Sequence, residues 1–293
     1  MAVDVTDQAF INELIRKEKS GRKLHLTRFA IAAVLMLIYL VPFYYLFVTV
    51  FKSTEEYLSS GVLELPQSFA PFLDNVADAW RLAGMGRASF NSMSYALIGA
   101  SLAVGLASAA AFGLTRLRLR SANTWFMMIF AGTLFPFQMF LVPLFFGYQQ
   151  TGLINSWLGM LLIYTAICIP FPLLVLRGSF GGIAREIDEA ARIEGASEWR
   201  VYRSMILPNA KGPMIALFLI QFTFIWNDLL FSSILATSPE VRSIMSALQT
   251  LQGTYASSGP NVVVTASLIS SIPTVLLFIF LRRYFMAGLQ LST

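Results

Sequence analysis

The sequence predicts an all-α polytopic membrane protein, a bundle of six transmembrane helices with both termini on the cytoplasmic side. Three observations carry that prediction. Hydrophobic residues make up 56% of the chain and charged ones only 13%, with a mean hydropathy of +0.66, far too little polar surface for a soluble chain of 293 residues. The apolar residues are gathered into runs long enough for a bilayer, which takes about 20 residues of helix. Finally, 17 of the 21 Lys and Arg residues fall on one side of those runs, the asymmetry that marks the cytoplasmic face.

Taken in order, residues 1–28 form a polar, basic cytoplasmic tail with Arg16, Lys17, Lys19, Arg22, Lys23 and Arg28. Phe10, Ile11, Leu14 and Ile15 share one helical face, which fits either a helix lying on the membrane surface or a partly ordered tail. Residues 29–293 form the transmembrane domain. Its first span, 29–51, is too long for the apolar region of a signal peptide and reads as an uncleaved helix. Spans follow at about 90–114, 123–146, 155–177, 212–235 and 263–285. Prolines at 42, 136, 143, 170, 172 and 273 fall in or near them and are expected to be tolerated, with neighbouring helices satisfying the freed carbonyls. The second span is crowded with small residues: Gly99, Ala100, Ser101, Ala103, Gly105, Ala107 and Ser108. Such a face lets backbones approach closely and places this helix deep in the bundle.

Composition also removes several kinds of function. The net charge of +5 does not point to nucleic acid, because the basic residues flank apolar runs and set topology. One cysteine, Cys168, and one histidine, His25, cannot build a disulfide or a His/Cys metal site. A membrane-embedded enzyme needs a clustered His, Asp or Ser constellation, and no glycine-rich nucleotide loop is present. An ion-coupled secondary transporter would leave buried carboxylates or inverted repeats with broken helices at the midplane. The spans hold few carboxylates and the chain shows no repeat.

The most informative segment is the cytoplasmic connection 178–211. From Glu186 it reads EIDEAARIEGASEWRVYRSMILPNAKG, a pattern that predicts two short helices around a break at Gly195, which can adopt a positive φ at little cost. Ala190 and Ala191 keep one face of the first helix thin. Glu189 and Arg192 offer charges to a docking partner, and Trp199 with Tyr202 are large amphipathic anchors.

This segment resembles the EAA loop of the inner-membrane permeases of ABC importers. That pattern is Glu-Ala-Ala, three residues, Gly, nine residues, Ile, one residue, Leu-Pro. The chain supplies Glu189, Ala190, Ala191, Gly195, Leu207 and Pro208 at that spacing. It departs at Met205, where the pattern has Ile, and at Ala184, where Pro is common. The wider chain is similar to the sugar-importer permeases typified by the smaller maltose permease subunit, and to the alginate-importing permeases. Pro136 with Gln138, Val142-Pro143-Leu144, Ile169-Pro170-Phe171, Trp226-Asn227-Asp228 and Arg282-Arg283-Tyr284-Phe285 with Gly288 carry the likeness in order.

The resemblance implies a permease that performs no covalent chemistry and sits in a bacterial or archaeal cytoplasmic membrane. Its partners would be a second homologous permease, two ABC ATPase subunits that bind ATP and Mg, and an extracytoplasmic solute-binding protein. Glu189 would pair with an arginine of the ATPase, with Ala190, Ala191 and Gly195 shaping the fit. The cargo would be a carbohydrate, with an acidic oligosaccharide of the alginate type as the narrowest expectation. Glycerol phosphate, amino acids and peptides are the alternatives. Gln252, Gly253, Tyr255, Ser257 and Asn261 occupy the loop expected to reach the binding protein, where an ordinary solvated turn is the competing reading. Gln138, Tyr164, Gln221, Trp226, Asn227 and Asp228 are candidates either for lining a polar pathway or for bridging helices inside the bundle.

Overall fold

The computed structural model describes residues 5–117, 119–252 and 258–290, with side chains described for 27–117, 119–252 and 258–280. Among the described residues all regular structure is helical. The helices are α1 (Val5–Val50), α2 (Thr54–Ser59), α3 (Pro71–Leu82), α4 (Met85–Arg116), α5 (Ala122–Ala131), α6 (Leu141–Thr151), α7 (Trp157–Ile167) and α8 (Pro170–Gly181). There follow α9 (Arg185–Ile193), α10 (Glu198–Val201), α11 (Leu207–Asn209), α12 (Lys211–Trp226), α13 (Leu230–Leu235), α14 (Ile244–Gln249) and α15 (Pro260–Gln290). The chain forms two compact units, Met1–Phe72 and Leu73–Thr293.

In the first unit, α1 runs without interruption through residue 28, where the sequence reading ended the tail. Its apolar stretch Thr27–Val50 is long enough to cross a membrane, yet only 6% of its most apolar window is buried. Phe29, Leu37 and Phe43 stand exposed, a surface that water would penalise and hydrocarbon accepts. Beyond α1 the chain closes on itself. The buried Lys52 Nζ donates to Ser60 Oγ at 2.9 Å and to the Gly61 carbonyl at 2.8 Å. Ser53 caps α2 by accepting from the Glu56 N–H, and the Phe51 ring meets Phe69 and Phe72.

The second unit is organised on α4, whose 32 residues span about 48 Å at 1.5 Å per residue. Ala88, Ser92, Ala96, Ala100, Ala103, Ala107 and Ala111 are buried on it, three or four residues apart, which is one face of a helix. Here α7, α8 and α12 pack. A Cβ on Gly99 would sit 3.1 Å from Ile225 Cδ1, so glycine is what lets α12 approach this closely. Ser101 and Gly105, counted with that small-residue face in the sequence, are exposed instead, on the side of α4 that also carries Leu97, Leu102 and Leu106. Two apolar clusters lie along α4. One is centred on Tyr95, Tyr164, Trp226 and Phe231, the other on Ala111, Phe112, Phe180, Val201 and Ile206.

Three of the expected spans are not continuous. The third breaks between Ala122–Leu134 and Phe137–Thr151 with a bend of 92°. Pro136 supplies no N–H, and Phe135 before it is extended (φ −91°, ψ 134°), as the proline ring demands of its predecessor. The fourth bends by 41° between Ile167 and Pro170. Pro170 and Pro172 then lie in the first turn of α8, where a missing N–H costs nothing. The fifth, expected over 212–235, ends as a helix at Trp226 and restarts as α13, because Asp228 takes up backbone donors that would otherwise continue the spiral. Pro42 and Pro273 stay inside α1 and α15 as expected. By length and composition, the described residues provide up to six membrane crossings when three bent pairs are each counted as one span: Ala122–Leu134 with Phe137–Thr151, Trp157–Ile167 with Pro170–Gly181, and Glu198–Asn209 with Lys211–Trp226.

Candidate functional site: the α8–α12 connection and a polar core beside two cavities

The segment between α8 and α12 folds as the sequence pattern requires. α9 ends at Ile193, and Gly195 takes φ +84°, a region that a Cβ disfavours by about 1–2 kcal/mol. Ser197 then caps α10 by accepting from the Arg200 N–H. A π turn at Tyr202–Ile206 leads into α11, and the rod Glu198–Asn209 meets α12 at 78°. Across the break, Arg192 forks onto Glu198, Nε to Oε1 at 2.8 Å and Nη2 to Oε2 at 3.0 Å. That hydrogen-bonded pairing holds the Glu198 carboxyl below the usual range and raises the Arg192 guanidinium. Arg192, counted in the sequence as a charge for a partner, is thus spent within the segment.

The remaining motif residues divide cleanly by face. Glu189 and Ala190 are exposed, Ala191 is buried, and Ile193 is 87% exposed. Leu207 is half-buried and Pro208 exposed. Trp199 and Tyr202 also part company. Trp199 is 65% exposed, whereas Tyr202 is buried and shares a 2.5 Å hydroxyl contact with Ser108 of α4.

Sequence reasoning missed the strongest tie of this segment to the bundle. Arg116, the last residue of α4, donates from Nη1 to Asp188 Oδ2 of α9 at 2.9 Å, with both side chains only 2% exposed. Its Nη2 donates to the carbonyls of Phe180 and of Ile183, the latter at 2.7 Å. Arg116 was read with the basic residues that set topology. The available signal was an acid beside Glu189 that the motif leaves unexplained.

The residues around the end of α12 form a buried polar knot. Tyr164 donates to Asp228 Oδ2 at 2.7 Å, and the same carboxylate accepts from the N–H groups of Phe231 and Ser232. Ser243 donates from Oγ to the Asp228 carbonyl, its N–H donates to Ser232 Oγ, and the Ile244 N–H donates to Ser92 Oγ. Nearby, Trp226 Nε1 donates to the Ser270 carbonyl of α15 at 3.0 Å.

Two open cavities lie beside this knot. One, of about 670 Å³, is lined by Phe137, Gln138, Thr223, Asn227 and Asp228 among others. The other, of about 690 Å³, is walled mainly by apolar side chains, including Phe135, Phe140, Phe171 and Phe231, with Gln221 in its wall. Gln138, Gln221, Asn227 and Asp228 therefore border open space. Tyr164 and Trp226 border neither cavity; their polar atoms are committed to partners inside the bundle.

On the opposite end of α4, Asn91 Nδ2 donates to the carbonyls of Glu240 and Arg242, and Tyr95 Oη to that of Val241. The 240–244 stretch is thus stitched to the bundle. Gln252 is exposed at the end of a short turn after α14. Asn261 is buried and donates to Asn75 Oδ1 at 2.6 Å, which takes it out of the group expected to meet a binding protein. Gly253, Tyr255 and Ser257 lie outside the described residues. Among the described residues no group of three or more His, Cys, Asp or Glu side chains could hold a metal ion.

Residues 88–290 match the family described as binding-protein-dependent transport system inner membrane component. The chain belongs to that family. It is an ABC transporter permease, a multi-pass protein of the inner membrane, with the type I permease fold. The permease is 31% identical over 75% of its length, and 72% of the relative's, to the diacetylchitobiose uptake system permease protein NgcG of Streptomyces coelicolor. It is 28% identical to the melibiose/raffinose/stachyose import permease protein MelC of Bacillus subtilis, covering 89% of this chain and 93% of that one. Its fold matches, with a TM-score of 0.77 and 20% identity, a bacterial ABC transporter structure described as involved in the import of the acidic polysaccharide alginate, covering 91% of this chain and 98% of that one.

Proposed function

We propose that this permease forms one half of the membrane pathway of an ATP-driven importer for an oligosaccharide. The observation that carries the reading is the coupling segment: an exposed Glu189 and Ala190 on a short helix, followed by a left-handed Gly195, in a chain of this family. Hydrolysis of ATP, with its Mg, takes place on two separate ATPase subunits, and a second homologous permease completes the pathway. ATPase closure pushes on α9. The bundle then rocks between inward-open and outward-open arrangements, since packed elements shift as units rather than deform continuously. An extracytoplasmic binding protein delivers the sugar, with Gln252, Gly253, Tyr255 and Ser257 as its proposed contact residues.

Two things support a carbohydrate over other cargo. The relatives named above are permeases for diacetylchitobiose and for melibiose, raffinose and stachyose. The smaller cavity also sets the Phe137 and Phe224 rings beside Gln138 and Asn227, pairing apolar faces with hydrogen-bonding groups as a sugar ring requires. An acidic oligosaccharide is the first cargo to test.

Mild solubilisation of the native membrane, followed by mass spectrometry of what co-purifies, tests the assembly. The expected result is a second permease with the same motif, an ATPase with nucleotide-binding loops, and a binding protein whose bound sugar names the cargo. Recovery of the chain alone, with neither a permease nor an ATPase, contradicts the proposal.

A further inference from the structure

We infer that Arg116 is the positioning residue that sets the rotational phase of the coupling helix, through its buried pairing with Asp188. The inference rests on the importer reading above for its functional consequence, but not for its geometry. α9 has nine residues, too few to hold a helix in place by itself, since isolated helices shorter than about 12 residues are marginal. Of its side chains only Asp188 and Ala191 are buried, and an alanine methyl offers little apolar grip. What fixes α9 is therefore the ion pair at its first turns and the hydroxyl contact of Tyr202 with Ser108 that anchors the following rod.

Arg116 is placed to act as a junction. It ends α4, reaches the carbonyls of Phe180 in the last turn of α8 and of Ile183 just beyond, and meets the carboxylate of α9. Three elements converge on one planar fork of donors, a geometry that a lysine ammonium cannot reproduce. The carbonyls at a helix C-terminus favour such a cation.

The consequence follows from helical geometry. Successive residues are about 100° apart, so an inward Asp188 turns Glu189 and Ala190 outward, as found. A buried ion pair contributes little net stability beside well-packed apolar residues. It does, however, tolerate one arrangement only. Rotating or sliding α9 by a residue would strand two charges away from water, whereas an apolar contact would simply slip. A helix that must transmit a push needs that intolerance: the force reaches α4 through a fixed seat instead of being lost in rotation.

The test uses the assembled transporter on a Cys168→Ser background, with spin labels at Ile193→Cys on α9 and Leu106→Cys on α4, both exposed positions. Distances between the labels are measured by pulsed electron resonance, and uptake and ATP hydrolysis are measured on the same complexes without labels. Asp188→Asn keeps the shape and removes the charge. The expected result is a broadened distance distribution, with ATP hydrolysis retained and solute moved per ATP falling roughly tenfold, within the range by which coupling residues alter such linkages. Where Asp188→Asn does not assemble, Arg116→Lys takes its place with the same readings. A distribution as narrow as the parent's, or unchanged transport per ATP in the surviving complex, overturns the inference. A merely structural pair would lower the yield of complex and leave both readings alone. Absence of ATP-driven transport in the parent would sink the importer reading while the distance measurement still judged the seat.

Discussion

Asp228 shows how one side chain can decide where a membrane helix stops. Its carboxylate accepts from Tyr164 and from two backbone N–H groups of α13, and its carbonyl accepts from Ser243. Aspartate favours such local bonds over helix continuation, and here they end α12 at Trp226. Replacing Asp228 with Ala strips the cap from α13 and leaves the Tyr164 hydroxyl buried without its acceptor. The expected cost is about 2–3 kcal/mol, read as a lowered melting temperature of the solubilised complex. Tyr164→Phe removes the donor and its partner bond together and should lower it less. Equal losses in the two variants would mean that Asp228 does nothing beyond accepting from Tyr164.

At the scale of elements, the α8–α12 connection was legible in the sequence as a pattern but not as a mechanism of attachment. Glycine at 195 announced the left-handed turn, because few other residues adopt it cheaply. Which side of α9 faces the bundle was not legible, because an alanine pair marks a thin face without saying what lies against it. The pairing of Arg192 with Glu198 was equally hidden: both are ordinary helix-surface residues until the turn at Gly195 brings them together. Because folding lowers the Glu198 pKa, through its bond to Arg192, the pair contributes stability above the usual carboxylate range and loses it as pH falls through the lowered value. Asp188 and Glu189 also act on Arg192, so Glu198→Gln is the control that isolates this pair. Partial exposure limits its worth to roughly 0.5 kcal/mol. Amide hydrogen exchange over 194–200, corrected for intrinsic rates, should then show about a twofold loss of protection as pH falls from 7 to well below the ordinary carboxylate range, absent in Glu198→Gln. Matching profiles in the two proteins would remove the pair from the account.

For the whole molecule, hydropathy located the spans but not their breaks. The second span, read at about 90–114, falls within α4, whose small-residue face is a property of the helix itself. The third was drawn straight through Pro136, since neighbours can rescue a proline in a membrane helix. Here the chain instead turns by 92° and opens a cavity beside Gln138. The candidate pathway residues divided for a similar reason: Gln138, Gln221, Asn227 and Asp228 border cavities, while Tyr164 and Trp226 serve the core. A lone polar residue in an apolar run does not declare which of these it will do. The central claim is that ATP, acting through α9, drives this chain's transport. The most direct measurement is uptake of labelled oligosaccharide by proteoliposomes containing the complete complex and its binding protein, with and without ATP on the coupling-segment side, for the parent and for Glu189→Ala. The account predicts uptake that requires ATP and collapses in Glu189→Ala. Uptake that proceeds on an ion gradient without ATP, or full ATP-driven uptake in Glu189→Ala, would contradict it.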